Sequence, residues 1–166
     1  MRIDHPGIVP LGGFSAGTRV RLNSTTISGS TATGDFTLPQ GFRSYEVICI
    51  GILIDDDDEE IYVQFSSDLG VTFISGASAY EHARLVHNST EGGAAAHGDS
   101  ADSKIIISNI TAAAGIGTAA GEGVPGFRLV ITNAHLTTIA PMIYGFVSMV
   151  DATTRPSTSK FAGTVA

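Results

Sequence analysis

Apolar and polar residues alternate in several stretches of this chain with a period of two, the spacing that puts every second side chain on one face of a β-strand. Thr18 to Asn23 sets Val20 and Leu22 against Arg19, Arg21 and Asn23. Ile61, Val63 and Phe65 alternate with Tyr62, Gln64 and Ser66, and Phe127, Leu129 and Ile131 with Arg128, Val130 and Thr132. YEVICIGILI, residues 45–54, is apolar almost throughout and predicts a central strand buried on both faces, with a bulge at Gly51. The acidic run Asp55 to Glu60 follows as a turn, so this strand and Ile61–Phe65 are expected to form a hairpin.

Other segments fit the period less cleanly. In ASAYEHARLVHNS, residues 77–89, Tyr80, Ala83 and Val86 line a helix face, while Tyr80, His82, Arg84 and Val86 alternate as a strand; both readings stand. STEGGAAAHGDSAD, residues 89–102, is small and polar and predicts a projecting loop, as does TAAAGIGTAAGEGVPG, residues 111–126. Lys104 to Ile110 resumes strand character. Thr137 to Val150 predicts a strand interrupted at Pro141, and SKFAGTVA, residues 159–166, a final one. Met1 to Gly17, with Pro6 and Pro10, predicts an extended arm.

Seven or eight strands without alternating helices predict an all-β fold, an antiparallel β-sandwich of jelly-roll type. The expected division is an extended N-terminal arm, residues 1–17, and a single sandwich domain, residues 18–166. No repeat of 20 to 50 residues supports a propeller or solenoid.

Composition sharpens this. Only 15% of the 166 residues are charged, against roughly 25% in average soluble domains. Ser, Thr, Ala and 20 glycines fill the gap, which suits turn-rich β-structure or a surface partly covered by partner subunits. The net charge of −7 comes largely from Asp55 to Glu60, and the nine Lys and Arg are scattered, so no nucleic-acid-binding stripe emerges. MRIDHPGIVPLGG lacks the apolar h-region of a signal peptide, and no run approaches the ~20 apolar residues of a membrane span. These features predict a soluble product of the cytoplasm. Cys49, the one cysteine, lies in an apolar run and reads as a small buried hydrophobe.

Candidate chemistry is sparse. Asp55 to Glu60 clusters carboxylates that suit calcium, but lacks the alternating ligand spacing of an EF-hand and reads first as a solvated turn. His82 and His87 stand five apart, a spacing that suits a zinc pair on neither strand nor helix. There is no nucleophile elbow and no phosphate loop. The expectation is no enzyme, no metal and no cofactor. In FSSDLGVTFISG, residues 65–76, Ser66, Asp68, Gly70, Thr72 and Phe73 form a hairpin motif: Asp68 accepts backbone N–H bonds, Gly70 supplies a positive φ, and Thr72 and Phe73 restart the strand.

That motif resembles the Asp-box of sialidases and related propellers, with Phe73 where tryptophan usually stands; the resemblance implies a structural turn remote from catalysis. More widely, YEVICIGILI, the acidic turn, IYVQFSSDLGVTFISGASAY and SKIIISN, spanning Tyr45 to Asn133, are similar to a module of tailed-bacteriophage virion proteins. The likeness implies a capsid decoration, head fibre or tail fibre subunit, commonly a homotrimer. Such a protein is made in the host cytoplasm and contacts other virion proteins. On this reading the arm anchors and the loops at 89–102 and 111–126 are displayed. The alternative function is a carbohydrate-binding module for host surface glycans, with Tyr62, Tyr80 and Tyr144 as contacts; tryptophan, the commonest sugar platform, is absent.

Overall fold

Six antiparallel strands form one broad sheet, covered on one face by a much smaller layer. The computed structural model describes residues 33–39, 42–54, 59–68, 71–88, 94–108, 116, 118–134, 138–151 and 155–166. A compact unit spans Asp35–Ala166. The expected arm, residues 1–17, and the strand from Thr18 lie outside the described residues. The strands are β1 (Ser44–Ile52), β2 (Tyr62–Val63), β3 (Tyr80–Asn88), β4 (Ala94–Asp102), β5 (Ile105–Ile106), β6 (Gly123–Thr132), β7 (Met142–Val150) and β8 (Pro156–Val165). The large sheet has the order β1-β6-β7-β8-β3-β4, and β2 pairs with β5 in the second. All pairs are antiparallel. The fold is therefore all-β and compatible with a sandwich, divided six strands to two.

Period-two alternation decides what each strand buries. On β8, Ser157, Ser159, Phe161 and Gly163 point inward and their neighbours outward; β3 resolves as a strand because Tyr80, His82, Arg84 and Val86 are buried while Glu81, Ala83, Leu85 and His87 are exposed. The core gathers Tyr45, Tyr80, Val124, Leu129, Ile131, Ile143, Val147, Met149 and Phe161 from the large sheet against Ile105, Ile107 and Ile116. Each such side chain contributes about 1.5–3 kcal/mol by leaving water.

Six expectations are corrected. YEVICIGILI is not central: among the described residues β1 stands at the edge of the sheet and pairs with β6 alone, and Ile48 and Ile50 are 61% and 83% exposed. Nor do residues 45–54 and 61–65 form a hairpin, because β1 joins β6 while β2 joins β5 in the other layer. No register shift falls at Gly51, and the shift near it belongs to the β6–β7 pairing. The β1–β6 register is unbroken on either side of Gly51, which takes φ 71°, and the register shift falls between Gly123 and Gly126 of β6, around Pro125. Most of the segment expected as a displayed loop, residues 89–102, is the edge strand β4. Its run of small residues lacks side chains that read as strand formers, and pairing with β3 overrides that weak preference. The loop expected at 111–126 likewise gives its end to β6 and buries Ile116. Pro141, expected inside a strand, instead precedes an unbroken β7.

Candidate functional site

The Ser66–Phe73 turn is closed by a bridge between its two ends and by a hydrogen bond from Ile74 N to the Phe65 carbonyl, 2.9 Å. Asp68 organises its interior. Its Oδ1 accepts from the Ser66 hydroxyl at 2.6 Å and from Thr72 N at 2.8 Å. These donors, the hydroxyl first, hold the Asp68 carboxyl below its usual range. Gly70 lies outside the described residues. The carboxylate is exposed and its donors belong to its own loop, so the turn does architectural work.

Tyr80 ties that turn to the core. Fully buried, its hydroxyl accepts from Phe65 N at 2.8 Å and donates to the Ile74 carbonyl at 2.9 Å, while its ring stacks on Phe65 with centroids 6.5 Å apart. One phenol thus satisfies an amide and a carbonyl that the turn's own closing bond leaves over. Burial raises its pKa, so the donor proton stays in place. Tyr80 is therefore corrected from a glycan contact to a buried clamp.

The other two tyrosines do not meet. Tyr62 is exposed on β2, with Lys104 Nζ 4.7 Å from its ring centre and Lys104 itself 2.8 Å from Glu60. Tyr144 is exposed on β7, on the face of the large sheet that points away from Ile143, Val147 and the second layer. The two rings stand on opposite sides of the molecule and share no platform.

A cluster of titratable groups lies between the layers. Arg84 Nη1 donates to the Ser108 carbonyl at 3.0 Å; the Ser108 hydroxyl accepts from Ile61 N at 2.9 Å, and Ile61's carbonyl accepts from Ile107 N. Arg84 thereby fastens β3 to the segments around β2 and β5. Beside it His82 is buried, and burial first, then the Arg84 charge, depresses its pKa, so it is neutral at pH 7. At 6% and 9% exposure these two side chains are closed to a substrate. Sequence spacing marks His82 only as half of an unsuitable metal pair; its inward parity within β3 is the signal for burial. Among the described residues no group of three His, Cys, Asp or Glu is placed to hold a metal ion. Asp55 to Asp58 lie outside them, while Glu60 faces Lys104.

An open depression lies where β6, β7, β8 and β3 end, lined by His87, Pro125, Ser148, Met149, Val150, Pro156, Ser157 and Thr158. Among the described residues of its lining, His87 is the one titratable side chain.

The outward face of the large sheet differs from all of these. Register places its side chains in rows across the strands: Glu46, Val130, Tyr144, Ala162, Ala83 and Gly98, then Ile48, Arg128, Phe146, Lys160, Leu85 and Ala96. Ile48, Leu85, Met142, Tyr144 and Phe146 are each between 44% and 61% exposed, and Ile50, in the next row, 83%. Glu46 and Arg128 form an ion pair across β1 and β6. Sequence alternation marks the buried side of these strands; the apolar character of the other side emerges only when register assembles residues from 46 to 162 into one surface.

No protein-family model, curated protein or solved structure matches the chain.

Proposed function

We propose that the chain is a non-enzymatic structural component of a tailed-bacteriophage particle, a capsid decoration or a fibre subunit, that works by assembling with copies of itself and with other virion proteins. The observation that carries the proposal is the outward sheet face. Ile48, Ile50, Leu85, Met142, Tyr144 and Phe146 stand exposed there around Glu46, Arg128 and Lys160, and large exposed apolar patches rimmed by polar residues mark interaction sites. A low charged fraction and two sheet edges, β1 and β4, suit the same role. The sequence resemblance supplies the particle, and with it the anchoring role of residues 1–17 and the trimeric precedent. No observation favours the glycan-binding alternative: Tyr80 is buried, and Tyr62 and Tyr144 face opposite ways.

The test is mass spectrometry of gradient-purified particles of the phage that encodes the chain, grown with the full sequence and with residues 1–17 deleted. The full chain is expected in the particles and the truncated one absent from them, while the purified truncated protein still melts cooperatively. Absence of the full chain overturns the particle assignment; retention of the truncated one overturns the anchoring role.

A further inference from the structure

The outward face of the large sheet is self-complementary. Its bulk is unevenly placed. Met142, Tyr144 and Phe146 form a ridge along β7, whereas the β8, β3 and β4 side carries Ala162, Ala83, Ala96 and Gly98, a trough interrupted by Lys160 and Leu85. A ridge beside a trough on one surface is the shape an isologous contact requires, because a two-fold axis brings each ridge onto the partner's trough.

We infer that this face packs against the same face of a second copy, about a two-fold axis running along the strands between β7 and β8. The axis maps β7 onto the partner's β8, β6 onto its β3 and β1 onto its β4. Within the row through Phe146, that ring then lies over the partner's Lys160, a cation–π contact, and Ile48 meets the partner's Ala96. In the next row Tyr144 meets the partner's Ala162, and Val130 its Ala83. Of the charged groups on the face, Glu46 and Arg128 are already paired within each copy, the lysine meets an aromatic face, Arg128 extends over the partner's Leu85, and Glu81, in the row of Met142, meets the partner's Thr132 hydroxyl. Six strands at ~4.8 Å spacing and four rows of side chains make a face of roughly 25 by 25 Å, close to the roughly 800 Å² per partner of a stable interface. Two sheets ~10 Å apart with near-aligned strands are ordinary face-to-face packing.

The inference rests on reading the face as an assembly surface, but it does not need the particle. It also replaces the three-fold implied by the resemblance with a two-fold. The experiment uses the purified full chain and light-scattering mass measurement, with Ala162→Glu and Tyr144→Lys made separately. The unmodified chain is expected at twice the 17.1 kDa of one copy. Each variant puts a charge in the contact twice and is expected at one copy, with an unchanged far-ultraviolet spectrum and melting temperature because both positions face solvent in the single chain. Mixed one to one, the variants are expected to return to two copies. In the mixed pair one contact sets the introduced carboxylate against the introduced ammonium, and the other keeps Tyr144 on Ala162 unaltered. A single copy for the unmodified chain, a three-copy mass, a dimer unaffected by either substitution, or no recovery on mixing overturns the two-fold contact. Failure to find the protein in particles would leave all of these outcomes readable.

Discussion

Tyr80 shows how one side chain converts a local turn into part of a core. The Asp68 loop closes its own ends, but closure leaves Phe65 N and the Ile74 carbonyl turned toward the protein interior, where an unmade hydrogen bond costs about 1–3 kcal/mol. Tyr80→Phe keeps the ring and its stacking and strands both groups. Urea unfolding is therefore expected to show a loss of roughly 1–3 kcal/mol, and a loss below the error of the measurement would remove the clamp. His82 gives a pH signature. Its native pKa is depressed by burial and by Arg84, so the unfolded chain binds its proton first, from about pH 6.5 downward. The sign follows: the histidine's contribution is fully present above that pH and is lost as the pH falls toward the lowered native value. His82→Gln should flatten this part of the stability–pH curve, and a curve of unchanged slope between pH 7 and 5 would contradict the burial argument.

At the scale of elements, pairing overrides pattern where pattern is weak. Ala94 to Asp102 has the composition of a loop yet forms a nine-residue strand, held by β3 on its one paired side. YEVICIGILI has the composition of a central strand yet stands at the edge. Periodicity reports how many faces of a strand are apolar, and a face can be apolar because another chain will cover it. Strands β6 and β7 are legible in the sequence because their inward positions carry large side chains such as Leu129, Ile131, Ile143 and Val147, whereas β8 buries Ser157, Ser159 and Gly163 beside Phe161. The register of these strands is not legible, because it depends on contacts between distant segments. Gly145 tests that register. A Cβ there would collide with the Arg128 carbonyl oxygen and stand 2.8 Å from Leu129 Cα, both backbone atoms of β6. Gly145→Ala is expected to cost roughly 1–3 kcal/mol by forcing the two strands apart; a neutral result in thermal melting would mean that β7 and β6 are not paired in this register.

For the whole molecule, the hairpin motif legible in the sequence proves to be a turn held by Ser66, Asp68 and Thr72, whereas the candidate sugar platform comes apart once Tyr80 turns inward. What the sequence hides is the broad face, since its members are separated by up to about a hundred residues and no short motif links them. That face is what the proposed assembly role rests on: among the described residues one side of the large sheet is covered by β2 and β5, and the other leaves Ile48, Ile50, Tyr144 and Phe146 exposed. The most direct measurement is the mass of the purified, unmodified chain by sedimentation equilibrium over a wide concentration range. A mass of two copies that persists on dilution is the predicted result; a single-copy mass at every concentration would contradict the account.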